Sequence, residues 1–591
     1  MQTDNPPFET HWVRWLLGLW LLLACVLLAY RWPNINFLIL ADTDDNLRLA
    51  QVKAWLAGQP WYDLRQYKLD PPYGADIHWS RLPDMPIAGI ISLFSPIIGA
   101  LWAEKLALAL APLLPFGLAL WGLGLAARRM VHPIAWLFAA ALLFSAPSAM
   151  GMFLPMRIDH HGWQLAFLAL ALAGLADPDA RRGGLTTGVA TALSVSVGLE
   201  MLPYLALCGG LIGLRWVVDP GQALRLRGYG AALGLGTALG YLVFASYANR
   251  VPRCDALTPV WLSTFILAGA LMLGLSFLRG PRWSIRLVTG AIAGLALAAF
   301  FALSWPDCLA RPEGISDALY RTWFVNIMEV RPLYAHDIKT ALPAVALPCV
   351  GVVGALWACL SARGAARWVW AQFIILGLLS TAMLFWQFRA APAAQVIAVT
   401  GAVALAWHVL PRLARAPALA VRIFGVAAAS LLISGMAGYI ALSLVPNKVT
   451  VSPVRTKARQ ASAACTTLSA LRPIGRVPAA TMFTFVDLSP RLIAMTPHRA
   501  IAGPYHRNGD AILDVFRAFR GTPETARQIM ARHGAEYVLI CPNMAEGGNH
   551  RRSAPKGFLA QLEKGQVPAW LTPVALPAKS PFKLWKITPD R

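Results

Sequence analysis

With 591 residues, 57% of them hydrophobic and only 14% charged, the chain is too apolar for a soluble globule, in which apolar residues make up about 45–50%. Its 52 Lys and Arg against 29 Asp and Glu leave +23 at neutral pH, and 21 of those basic residues against 8 acidic ones lie beyond residue 445. A mean hydropathy of +0.53 completes the picture of a multi-span membrane protein whose basic tail faces anionic headgroups or anionic substrates.

In chain order, a short polar lead ends at Arg14 and an apolar stretch runs to about Tyr30 without a small-residue cleavage site, so a retained first span is expected. Arginine pairs then set the topology, because Lys- and Arg-rich loops stay in the cytoplasm. Arg128/Arg129, Arg181/Arg182, Arg225/Arg227, Arg279/Arg282/Arg286, Arg363/Arg367 and Arg412/Arg415 are all placed inside by spans near 14–30, 105–126, 131–150, 163–176, 184–199, 201–217, 228–247, 257–278, 284–304, 341–361, 367–386, 392–410 and 420–445. The stretch from Met85 to Gly99, with Pro86 and Pro96, must stay out of the count to keep Arg128 inside, and reads as an interfacial or re-entrant helix. The expected architecture is an α-helical polytopic membrane protein of about thirteen spans over residues 1–445. Residues 31–104 would form a first external loop and 305–340 a mobile external loop. Residues 446–591 alternate β-rich runs (AATMFTFV, EYVLIC) with helical ones, which reads as a small α/β domain outside the membrane.

This topology gathers four polar segments on one face. The first loop opens with ADTDDNLR, where Asp42, Asp44 and Asp45 repel one another unless a cation joins them; a solvated acidic loop is the plain alternative. MRIDHHGW follows, where Asp159 and His161 can face one divalent ion beside His160, or Asp159 can simply cap the next helix. Glu329, in apolar company in WFVNIMEVRPLYAHD, suits coordination or proton transfer, or else an ion pair with Arg331. Arg389, at an external span end in FWQFRAAP, can snorkel or grip a phosphate oxygen pair. Glu200 has no reading beyond a structural hydrogen bond. Cys25, Cys208, Cys349 and Cys359 fall in spans, whereas Cys254 with Cys308 and Cys465 with Cys541 fall in external segments where disulfides are allowed.

These segments, in this order, resemble the catalytic subunit of oligosaccharyltransferase and its bacterial and archaeal single-subunit relatives, which are GT-C glycosyltransferases with thirteen spans and a C-terminal external domain. Asp42 stands six residues before Arg48, as the family's first-loop aspartate does, and LDPPYGADIHWSRLPDMPIAG resembles the end of the archaeal first loop. Asp159 and His161 match the two ligands of the family's DHH motif, Glu329 its fifth-loop glutamate, and Arg389 the arginine that holds the donor phosphate. The resemblance implies a divalent metal, Mg²⁺ or Mn²⁺, held by Asp42, Asp159, His161 and Glu329, and Asp42 as the carboxylate that orients or deprotonates the acceptor. The tail departs from the family: no WWDYG occurs, and the comparable place reads FTFVDLSPRLIAMTPHRAIAGPYHRN, where Asp487, His506 and Arg507 offer polar groups to an acceptor, as do Asp44, Asp45 and His160 in the loops.

The function implied is transfer of a sugar or oligosaccharide from a polyprenyl-phosphate or diphosphate donor to a lipid or glycan acceptor, on the periplasmic side of a bacterial inner membrane. A protein acceptor is the first alternative, and a transporter or flippase of lipid-linked sugars the second. A transporter would carry its polar residues near the bilayer midplane within repeated halves, which this sequence does not show. Neither a Walker nor a Rossmann phosphate loop occurs, and no nucleic-acid partner is expected.

Overall fold

All thirteen expected spans are occupied by helix in the computed structural model, which describes residues 7–278, 282–311, 313–444 and 453–588. Arg279 and the expected division at 445/446 lie outside the described residues. Six helical stretches are each long and apolar enough to cross a bilayer: Trp12–Tyr30, Ala100–Met130, Trp283–Ser304, Ile338–Ser361, Gly364–Met383 and Phe388–Ala414. The last expected span is a broken pair, Val421–Ile433 and Met436–Leu444, bent by 99° at Gly435, whose φ of +75° a side chain would resist. The other positions carry shorter or more polar helices, such as His161–Leu175 and Ala180–Val197.

Small residues bring the helices into backbone contact, since lipid tails supply no hydrophobic drive for helix association. A Cβ added to Gly354 would run into the carbonyl oxygen of Gly401, so Ile338–Ser361 and Ala391–Ala414 touch main chain to main chain. Three of the arginines expected inside meet at one aspartate: Arg129 and Arg182 both pair with Asp177, at 2.6 and 2.7 Å, and Arg225 donates to the Asp177 carbonyl. Trp61 donates to the Val243 carbonyl at 2.6 Å, where the long first loop meets the end of the helix Ala223–Phe244. Residues Met85 to Gly99 do not continue into the next span: Asp84–Ile98 ends at Gly99, whose φ is +79°, and Ala100–Leu110 and Leu113–Met130 follow as separate helices.

Beyond the spans lies a five-stranded mixed sheet. The short pair β1 (Arg65–Gln66) and β2 (Ala75–Asp76) belongs to the first loop; β3 (Thr481–Phe483), β4 (Arg499–Ala500), β5 (Tyr537–Ile540), β6 (Leu571–Pro573) and β7 (Lys583–Ile587) stand in the order β4-β3-β5-β7-β6. The sheet runs β4, β3 and β5 parallel and β5, β7 and β6 antiparallel, with helices such as Gly509–Arg520 covering it through a buried aliphatic and aromatic face. Cys465 is bonded to Cys541 and Cys254 to Cys308.

The first loop anchors this C-terminal unit. Ala500 N donates to Lys68 O at 2.8 Å and Asp70 N to Ala500 O at 3.0 Å, extending the sheet edge by one bridge. Lys68 Nζ donates to the carbonyls of Ile493 and Thr496, both at 3.0 Å. Buried Arg491 joins three segments, donating to Thr466 O at 2.9 Å, Leu38 O at 2.8 Å and Asn46 Oδ1 at 3.2 Å. Hydrogen bonds from a charged group are each worth about 1.5–3 kcal/mol and are not additive, so Arg491→Ala should weaken the docking by about 2–4 kcal/mol. Limited trypsin digestion of the purified protein in urea would show the C-terminal unit released at lower urea in the variant; identical digestion curves would contradict it.

Candidate active site

The helix Thr43–Leu56 starts where Asp42 turns extended, and Asp42 Oδ1 accepts from Thr43 N at 2.5 Å and from its hydroxyl at 3.0 Å. That cap aims Asp44 and Asp45 inward, toward the loop before His161–Leu175. There Arg157 enters the acidic group: its Nη1 lies 2.8 Å from Asp42 Oδ2 and 3.1 Å from Asp45 Oδ2, and its Nη2 3.4 Å from Asp159 Oδ2. Burial alone would lower the guanidinium, but Asp45, Asp159 and Asp42 together hold it well above its ordinary value. Burial also pushes Asp45 up to about 7 against the pull of Arg157. Asp44 is raised well above the usual carboxylate range, by burial first and then by Asp42, Asp159 and Glu329.

The DHH segment forms a chain of charges. Asp159 Oδ1 stands 2.6 Å from His160 Nδ1, Asp159 Oδ2 is hydrogen-bonded to His161 Nδ1, and Asp159 N donates to Asp45 Oδ1 at 2.9 Å. His160 Nε2 reaches Glu200 Oε1 at 3.0 Å, and Gln164 Nε2 holds the other Glu200 oxygen at 2.6 Å. Glu200 therefore has a partner and a place that its sequence neighbourhood did not reveal. Arg48, paired with Asp84 at 2.6 Å and stacked over Trp79 at 4.6 Å, supports the same imidazole from behind, with Nη2 3.3 Å from His160 Nδ1.

A cavity of about 430 Å³ opens between the membrane helices, the first loop, the 305–340 loop and the C-terminal unit. Asp44, His160, His161, Glu329, Arg389 and His506 all line it, joined by His78, Trp79, Glu200, Asp255, Glu313 and Tyr505. Asp42 and Asp45 stand behind Arg157 and do not line it. Asp487 also lies off the cavity, exposed, with its N–H held by Glu546 at 2.8 Å, though near enough to Asp42 for their charges to interact. Arg507 is turned away to grip Asp255. The loop carrying Glu329 is tied to the arginine's segment, because Phe388 N donates to Arg331 O at 2.8 Å and Leu333 N to Leu384 O at 2.9 Å. Arg331 itself turns its Nε to the Val325 carbonyl at 3.2 Å. Arg389 has a distant partner, Glu313 at 3.9 Å, and a buried Nε without a hydrogen bond. Arg157, His78 and Asp255 escaped the sequence reading; Arg157, two residues before Asp159, carried a local signal, whereas Asp255 is 251 residues from its partner His506.

The donor set fits a divalent cation. Asp159, His160 and His161 each offer one ligand atom within 4.8 Å of the others, and the half-buried Asp44 and the exposed Glu329 add carboxylates with no guanidinium in hydrogen-bond contact among the described residues. No protein-family model and no curated protein matches this sequence. Among solved structures, the archaeal oligosaccharyltransferase AglB of Archaeoglobus fulgidus, in complex with an inhibitory peptide and a dolichol-phosphate, superposes with a TM-score of 0.65 over 96% of this chain and 73% of that one, at 16% identity. The apo form of the Archaeoglobus fulgidus oligosaccharyltransferase gives 0.63 over 89% and 69%, at 17% identity, and its complex with Zn and sulfate 0.54 over 84% and 63%, at 16%. At such identity the likeness establishes the fold: a GT-C membrane fold with a small sheet domain near the C-terminus, in a multi-pass membrane protein.

His160 gives this site a pH signature. Burial would lower its imidazole, but Asp159 and then Glu200 raise it to about 10. A raised imidazole contributes stability that is present below its ordinary value near 6.5 and is lost as pH climbs through about 10. In EDTA, the melting temperature of the purified protein should fall between pH 6.5 and 10, and Glu200→Gln should flatten that fall; an unchanged slope would contradict the pairing.

Proposed function

We propose that this protein is a metal-dependent glycosyltransferase of the bacterial inner membrane that moves a sugar or oligosaccharide from a polyprenyl-phosphate or diphosphate donor to a lipid or glycan acceptor on the periplasmic side. The observation that supports it is the cavity whose wall carries Asp44, His160, His161 and Glu329, with Asp159 behind the two imidazoles, together with Arg389, a guanidinium whose buried Nε lacks a hydrogen-bond partner among the described residues. Transporters of such lipids need a path through the bilayer midplane, whereas these groups sit at the external ends of the spans. The division proposed is a membrane unit over 1–445, with external loops 31–104 and 305–340, and an external α/β domain over 446–591.

In the reaction, Arg389 binds one phosphate oxygen pair of the donor, exchanging its 3.9 Å contact with Glu313 for a charge-assisted bidentate pair. Asp159 and His161, with Asp42 or Asp44 and Glu329, would hold the divalent ion, Mg²⁺ or Mn²⁺, and when bound it neutralises the charge that builds on the departing phosphate. Arg157 keeps the carboxylates behind the site together and orients Asp159. Glu200, through His160, holds the DHH segment in register. The segment with Glu329, tied to the Arg389 turn through Phe388, closes over the donor and opens for release. The acceptor reading rests on the absence of WWDYG in the tail and on the polar groups at His506.

The test is mass spectrometry of envelope glycolipids and polysaccharides from a deletion strain complemented with the native chain or with Asp159→Ala. A sugar-sized mass increment should return with the native chain and stay absent, at least ~100-fold lower, with the variant. Unchanged glycans together with a lipid-linked sugar accumulating on the cytoplasmic side would replace transfer by flipping, and a mass increment on a protein would make the acceptor a polypeptide.

A further inference from the structure

Cation and phosphate binding leave three cavity groups unused: His78, Asp255 and His506. Asp255 follows Cys254, whose bond to Cys308 pins its loop to the far side of two helices. Arg507 grips both of its oxygens, Nε to Oδ2 and Nη2 to Oδ1, each at 2.8 Å. Burial alone would raise this carboxylate, yet Arg507 and then His506 hold it far below its ordinary range, so it stays ionised. Its Oδ2 also meets His506 Nε2 at 2.6 Å. An ionised carboxylate there fixes the proton on Nε2 and leaves a lone pair on Nδ1, and among the described residues no protein group bonds Nδ1.

We propose that His506 is the general base of the transfer, with Asp255 as its positioning carboxylate, and that the acceptor is therefore a hydroxyl group. The inference rests on the transferase reading above. Nδ1 takes the hydroxyl proton as the acceptor oxygen bonds the anomeric carbon, while the bond from that carbon to the donor phosphate oxygen breaks and its electron pair stays on the phosphate. Asp255 stabilises the imidazolium that forms, and the proton leaves afterwards to water or to the released lipid phosphate.

Three observations favour this base over its rivals. Asp42 has Oδ1 taken by Thr43 and Oδ2 by Arg157, and it does not line the cavity. His78, whose ring centroid lies 4.6 Å from that of His506, is held below its ordinary value chiefly by burial, and among the described residues no carboxylate is in hydrogen-bond contact with it. A cation shared by His78, Asp255 and His506 would meet the Arg507 guanidinium already seated on both Asp255 oxygens. The charged and titratable groups around His506 are thus His78 from the first loop, Asp255 from the loop before Pro259–Leu275, its neighbour Arg507, and Glu200 acting on His78.

The deletion strain complemented with His506→Gln, His506→Gly or Asp255→Asn provides the test, with each protein's level in the membrane measured by immunoblot. The envelope mass increment should fall ~100-fold or more with His506→Gln at native protein level, and imidazole in the medium should restore part of it to His506→Gly, which a merely structural histidine would not allow. Asp255→Asn should lower transfer while leaving protein level intact. If the native chain restores the increment and Asp159→Ala abolishes it, but His506→Gln keeps more than half, or imidazole rescues nothing in His506→Gly, the base assignment is overturned and the transferase reading stands. If the native chain itself restores no glycan, both fall.

Discussion

The site of this protein is arranged around one electrostatic problem, the gathering of Asp42, Asp44, Asp45 and Asp159, of which Asp45 and Asp159 are buried, about a single guanidinium, Arg157. One cation cannot neutralise four carboxylates held this close, and a medium of low polarity makes the remainder costly. The fold answers locally, by lending Asp159 two imidazoles and by giving His160 a second carboxylate in Glu200. Asp44 and Glu329 are left facing the cavity with charge that the described residues do not offset. A site with surplus negative charge next to a half-partnered arginine is suited to take a cation and an anion together, which is what a metal-bound lipid phosphate presents.

The cavity exists only because the C-terminal unit sits on the first loop. Arg491, Lys68 and the main-chain bridge at Ala500 hold the sheet against Thr43–Leu56, and the same docking carries Tyr505 and His506 to the cavity wall. Tyr505 Oη donates to the Thr43 carbonyl at 3.2 Å, so the residue beside the proposed base touches the helix start that carries the acidic cluster. The acidic cluster and the proposed base are therefore positioned by one interface.

Much of this could be read from residue order. Apolar runs matched to bilayer thickness found the helices, because membrane thickness acts on local sequence. AATMFTFV and EYVLIC did become neighbouring parallel strands, β3 and β5. Asp159, His161 and Arg389 were visible as polar residues at span ends, and Glu329 as a carboxylate in apolar company within a loop. Their connections were not: Asp45 meets Arg157 across 112 residues and Asp255 meets His506 across 251, and no local pattern carries a pairing at that range. The resemblance pointed to Asp42 among the first-loop acids, whereas in the structure helix capping turns Asp42 to Thr43 and Arg157 and it is Asp44 that lines the cavity.

The most direct test of the surplus-charge account is a Mn²⁺ titration of the purified, EDTA-stripped protein followed by electron paramagnetic resonance. The account predicts one tightly bound Mn²⁺ per chain with a nitrogen coupling from imidazole, both lost in a variant carrying Asp159→Ala and His161→Ala. Absence of binding in the native protein, or binding that survives both substitutions, would contradict it.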